Sequence, residues 1–123
     1  MEILLLDKTL GDNPGTEIRL EFYAERFSQK GHSVRITKTL SELVQPEGLL
    51  KYQLAIVHPN FGDARRLKEE VERREDFRII LHSSDPEKYP DINPYISDSG
   101  RICSFFSVIP SRLIDFIEQW YKQ

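Results

Sequence analysis

The sequence predicts a three-layer α/β domain built on a five-stranded parallel sheet in the order 2-1-3-4-5. Three observations carry that prediction. Continuous apolar runs at Ile3 to Leu6, Leu54 to Val57 and Ile79 to Leu81 have the length and character of strands buried on both faces. Amphipathic segments separate the strands, which requires right-handed crossovers with helices on both faces. A length of 123 residues suits one domain spanning 1–123 and leaves no room for two.

The first strand, Ile3 to Leu6, runs into Asp7. Thr9 to Thr16 is dense in turn residues (Gly11, Asp12, Asn13, Pro14, Gly15), and Thr16 is placed to cap a helix over Glu17 to Gln29. Ile18, Phe22 and Phe27, with Leu20, Tyr23 and Ala24, give that helix its apolar stripe. Gly31 sits where a C-cap glycine belongs. Ser33 to Thr37 is the second strand, and Thr39 to Leu50 a short helix broken by Pro46 and Gly48.

The third strand ends at His58-Pro59. Asp63 to Arg74 is a helix through Ala64, Leu67 and Val71. Arg78 to Leu81 is the fourth strand, ending at His82. Prolines 86, 90 and 94 argue against a long regular helix between Asp85 and Gly100. Ile102 to Ile109 is the fifth strand, stopped by Pro110. Ser111 caps a last helix that buries Leu113, Ile114, Ile117 and Trp120. Five strands in this order make the sheet flavodoxin-like, with strands 1, 3 and 4 adjacent and their carboxyl ends lining the ligand crevice.

A formal charge of −3 argues against a general nucleic-acid binder, which needs a concentrated basic surface. The basic residues Arg65, Arg66, Lys68, Arg73 and Arg74 share their segment with Glu69, Glu70, Glu72, Glu75 and Asp76, as on a solvated face with i,i+4 pairs. Cys103 is the single cysteine, so neither an intrachain disulfide nor a thiolate zinc cluster can form. Its place early in the fifth strand marks it as a small core hydrophobe. Met1 to Leu6 is too short for a signal peptide, and no run approaches the ~18 apolar residues of a membrane span. A reducing cytoplasm, with no membrane contact, is the expected setting.

Taken together, these segments resemble a response-regulator receiver (CheY-like) domain over nearly the whole chain. Ile3-Leu4-Leu5-Leu6-Asp7 is similar to the family's first strand, which runs into acidic metal-binding residues. Tyr52-Gln53-Leu54-Ala55-Ile56-Val57-His58 resembles the third, which ends in the phosphoacceptor aspartate. Ile79-Ile80-Leu81-His82-Ser83 resembles the fourth, which ends in a phosphoryl-contacting serine or threonine. Phe105 to Pro110 and the helix to Trp120 resemble the last strand, its Lys-Pro pair and the final helix.

The resemblance implies a degenerate pocket of Asp7, Lys8, His58, His82, Ser83 and Ile109. His58 stands at the acceptor position, and imidazole cannot form an acyl phosphate. Lys8 replaces the second acid and removes a Mg²⁺ ligand. Val108 or Ile109 falls where the family has lysine. The expected protein is therefore a pseudo-receiver with no cofactor, acting through a protein partner or a second copy of itself. Consecutive strand residues Phe105 and Phe106 point to opposite faces, and one of them, with Tyr95, marks a candidate interaction surface.

The rival expectation is a small enzyme or ligand-binding domain in which Asp7, His58 and His82 hold Zn²⁺ or Fe²⁺ as a facial set. His32, on the opposite edge, is expected to be exposed. The Thr9 to Thr16 loop leads to a helix N-terminus, but it lacks both the G-x-G-x-x-G spacing and a P-loop lysine, and Asp12 would repel an anion. Ser83 and Ser84 sit in no G-x-S-x-G elbow.

Overall fold

In the computed structural model, which describes residues 1–12, 14–43, 46–58, 64–83, 101–106 and 110–121, elements alternate from the start of the chain. The order is β1 (Glu2–Leu6), α1 (Pro14–Gln29), β2 (Ser33–Thr37), two 3₁₀ turns (Leu40–Leu43 and Pro46–Leu49), β3 (Leu54–Val57), α2 (Ala64–Arg73), β4 (Arg78–Ser83), β5 (Ile102–Phe106) and α3 (Pro110–Tyr121). The sheet order is β2-β1-β3-β4-β5, and every pairing is parallel. Fold class and strand order agree with the sequence prediction.

Strand alternation divides the core in two. Leu4, Leu6, Ala55, Val57, Ile79 and Leu81 face one way, against Leu40, Leu43 and Leu49 of the 3₁₀ turns and Leu67 and Val71 of α2. Ile3, Leu5, Leu54, Ile56 and Ile80 face the other way, against Leu20, Tyr23 and Phe27 of α1 and Leu113, Ile114 and Ile117 of α3. All four residues of β3 are buried. Helices cover both of its faces, which is why its sequence is continuously apolar instead of alternating.

Several boundaries and faces differ from the sequence reading. Helix α1 opens at Pro14, not at a Thr16 cap, because proline suits a first turn whose N–H has no helical partner. Its buried stripe is Thr16, Leu20, Tyr23 and Phe27, while Ile18 is 70% and Phe22 39% exposed. The broken helix before β3 is a pair of 3₁₀ turns, the second opened by Pro46. Strand β4 runs on to Ser83, so His82 lies within the strand. Helix α3 begins at Pro110, which places Ser111 inside its first turn. Positions 107–109, at the predicted end of the fifth strand, and the segment 85–100 lie outside the described residues.

Gly31 behaves as predicted. Its φ is +87°, and Gly31 N–H donates to Ser28 O at 3.0 Å while His32 N–H donates to Phe27 O at 3.1 Å, a Schellman closure of α1. His32 is half-buried and packs edge-on against Phe27, a correction to its expected exposure. Cys103 is half-buried, and burial pushes its thiol up to about 11, consistent with a packing role.

Arg74 also departs from the solvated face assigned to it. Its guanidinium donates to the carbonyl oxygens of Leu49 (2.9 Å), Leu50 (3.3 Å) and Tyr52 (2.8 Å), and it lies over the Phe77 ring. It ties the end of α2 to the approach to β3. Arg65 and Glu69 do form the expected i,i+4 pair, at 3.7 Å.

Candidate functional site at the carboxyl edge of the sheet

The register Leu6↔Val57↔Leu81 puts the next residues, Asp7, His58 and His82, in one row across β1, β3 and β4. His58 N–H extends the ladder by donating to Leu6 O at 3.0 Å, and Asp7 N–H does the same toward Thr37 O at 3.2 Å. By alternation the row belongs to the face covered by α1 and α3. The register thus makes the three positions neighbours along the carboxyl edge.

Asp7 and His82 each take one partner from α1. Asp7 is 1% exposed, and its Oδ1 accepts both the Thr9 N–H (2.9 Å) and the Thr9 hydroxyl (2.7 Å). The Thr9 hydroxyl hydrogen is thereby used, so Thr16, 2.9 Å away, donates to Thr9 Oγ1. Asp7 Oδ2 accepts from Arg19 Nη2 at 2.6 Å, a charge-assisted bond. Thr16, Arg19 and Tyr23 stand at i, i+3 and i+7 on α1, so one helix face addresses the whole edge.

His82 is 6% exposed and uses both ring nitrogens. Nδ1 lies 2.7 Å from Phe105 O and Nε2 lies 2.8 Å from the Tyr23 hydroxyl. A carbonyl can only accept, so Nδ1 carries the proton and Nε2 accepts from Tyr23. Burial pushes the imidazole down to about 4. The Phe105 bond opposes this, while the charges of Arg19 and His58 add to it. Burial likewise raises the Tyr23 phenol, against the pull of Arg19. His82 is thus a neutral link between α1, β4 and β5.

The metal expectation does not find its ligands. Both Asp7 oxygens and both His82 nitrogens are committed within the protein, and no group of three His, Cys, Asp or Glu suited to a metal occurs among the described residues. The Mg²⁺ implied by receiver domains does not fit this donor set either. Lys8 is exposed, and a guanidinium already sits on Asp7. Asp12 pairs with Lys38 at 3.7 Å.

Of the remaining predicted residues, Ser83 and Phe106 contribute backbone to β4 and β5, paired with each other, and their side chains lie outside the described residues, as do Ile109 and Tyr95. Phe105 is half-buried and stacks on Phe116 at 4.7 Å, and Phe116 stacks on Trp120 at 5.9 Å. Arg78 lies over the Trp120 and Tyr121 rings and donates to Trp120 O at 2.9 Å. The sequence reading passed over Arg19 and gave Thr16 a capping role and Tyr23 a place in the apolar stripe. Their i, i+3, i+7 spacing was the available signal, hidden because an arginine in an amphipathic helix ordinarily meets solvent.

No protein-family model matches the sequence, and no curated protein matches it. Solved structures do. A two-component response regulator from Clostridium difficile superposes with a TM-score of 0.70 at 15% identity, covering 100% of this chain and 97% of that one. The Thermotoga maritima response regulator TrrA, solved with Mg²⁺ and BeF, gives 0.64 at 18% identity, with 97% of each chain covered. An atypical orphan response regulator, described as having a phosphorylation-independent regulatory mechanism, gives 0.69 at 16% identity over 99% and 96% of the two chains. The carboxyl-edge row and the strand order therefore belong to a CheY-like receiver fold, the flavodoxin-like α/β class. The likeness to these regulators, at 15–18% identity, is one of fold.

Proposed function

We propose that this chain is a receiver-like regulatory domain that acts by protein–protein contact and does not undergo phosphoryl transfer. The observation that carries the reading is the state of the pocket row. His58 follows the strand whose end holds the acceptor in receivers, and the neighbouring Asp7 is buried in an ion pair with Arg19. A ring nitrogen at that position cannot yield an acyl phosphate, and Asp7 already holds a cation, Arg19, where a divalent ion would have to sit. The phosphorylation-independent mechanism of the atypical orphan regulator gives a precedent on the same fold.

The half-buried stack of Phe105, Phe116 and Trp120 on β5 and α3 supports contact with a protein partner or a second copy. A cytoplasmic setting fits the single cysteine, and no helix among the described residues is long and apolar enough to cross a membrane. The test is incubation with acetyl phosphate and Mg²⁺, followed by intact mass measurement under conditions that preserve acyl phosphates. The expected result is an unchanged mass. Stoichiometric gain of one phosphoryl group overturns the reading.

A further inference from the structure

We infer that Arg19 is the pocket's own tethered cation, and that it blocks divalent metal binding independently of the substitutions at positions 8 and 58. This rests on reading the carboxyl edge as a receiver-like pocket, and it adds a second lock that the strand-end residues do not reveal. Asp7 has four acceptor directions in a nearly solvent-free site. Thr9 takes two through Oδ1, and Arg19 Nη2 takes Oδ2 at 2.6 Å. A buried carboxylate requires a counter-charge, and here a side chain of α1 supplies it.

Arg19 is held in place from its own helix. Its neighbours on the same face, Thr16 and Tyr23, are fixed by Thr9 and His82 on either side of it. Its side chain is 26% exposed, and Nε is buried with no hydrogen-bond partner among the described residues. A divalent ion approaching Asp7 meets a fixed positive charge in contact with the ligand oxygen, and the repulsion cancels a large part of what one carboxylate offers. Restoring the missing acids alone therefore leaves metal binding weak.

The test rebuilds the acids with and without the lock. Lys8→Asp/His58→Asp and Lys8→Asp/His58→Asp/Arg19→Met are titrated with Mn²⁺, following free Mn²⁺ by electron paramagnetic resonance, with folding checked by circular dichroism. The triple variant is expected to bind roughly tenfold more tightly or better than the double. Equal affinity in the two, or no binding by the triple, overturns the inference. If the Arg19→Met triple variant does not fold, Arg19→Gln in the same Lys8→Asp/His58→Asp background replaces it, with the same two outcomes. Failure on either arm concerns Arg19 alone, whereas phosphoryl uptake by the wild type would overturn the functional reading itself.

Discussion

The Tyr23 hydroxyl donates to His82 Nε2 across 2.8 Å, joining helix α1 to the fourth strand beneath it. Because Phe105 O takes the proton on Nδ1, the imidazole accepts from one helix and donates to the edge strand. A single neutral ring thus spans three elements at the rim of the sheet.

That ring makes stability depend on pH in a defined window. The folded His82 titrates at about 4 against an ordinary value of 6.5. Between those values the unfolded chain binds a proton that the folded chain refuses. The stabilisation is fully present above about 6.5, falls as the pH drops, and is gone by about 4. Full loss corresponds to about 3 kcal/mol at most. His32, also lowered by burial, and Asp76, lowered by its bond to Arg74, act in the same direction, so the effect must be isolated by difference. His82→Gln keeps a donor and an acceptor without a titrating group. Urea unfolding at pH 7 and pH 4.5 is expected to show a smaller loss in this variant than in the wild type; equal losses would remove His82 from the account.

Removing the donor has a separate consequence. Tyr23→Phe leaves Nε2 buried without its partner, at a cost of about 1–2 kcal/mol. The ring should stay neutral and in the same tautomer, because Phe105 O remains. Nitrogen chemical shifts of the imidazole report the tautomer, and a switch to the Nε2-protonated form would contradict the assignment.

Arg74 and Arg65 lie in one charged segment and should respond differently. Arg74→Lys loses the planar fork that serves the Leu49, Leu50 and Tyr52 carbonyls, and should destabilise by about 2 kcal/mol. Arg65 is 93% exposed, so Arg65→Lys should fall within about 0.5 kcal/mol of wild type. Chemical denaturation of the two variants decides between them, and similar midpoints would refute the role given to Arg74.

The face of α1 is open to a matched comparison. Leu20 is 6% exposed and Ile18 70%. Leu20→Ala should cost about 3 kcal/mol, whereas Ile18→Ala should change stability by less than about 0.5 kcal/mol. A large loss at Ile18 would mean that α1 presents the other stripe to the sheet.

The strands and their order could be read without coordinates, because their causes are local. A strand buried on both faces must be continuously apolar, and an αβα alternation leaves few topologies. The Gly31 closure was legible for the same reason, since its positive φ is a property of one residue. The row of Asp7, His58 and His82 followed from topology, as each stands at or near the end of an adjacent parallel strand.

The partners of that row were decided only by tertiary packing. Helix α1 carries two overlapping apolar stripes, Ile18-Phe22 and Leu20-Tyr23-Phe27, and periodicity cannot choose between them. Rotation of the helix about its axis settles the choice. The rotation found buries Leu20 and Phe27 and at the same time brings Thr16, Arg19 and Tyr23 over the carboxyl edge, where Asp7 and His82 need a cation and a donor. Sequence alone therefore determined the strand order and with it the adjacency of Asp7, His58 and His82. That Asp7 is held by an arginine from α1, and His82 by a tyrosine one turn further on, depended on how that helix lies against the sheet.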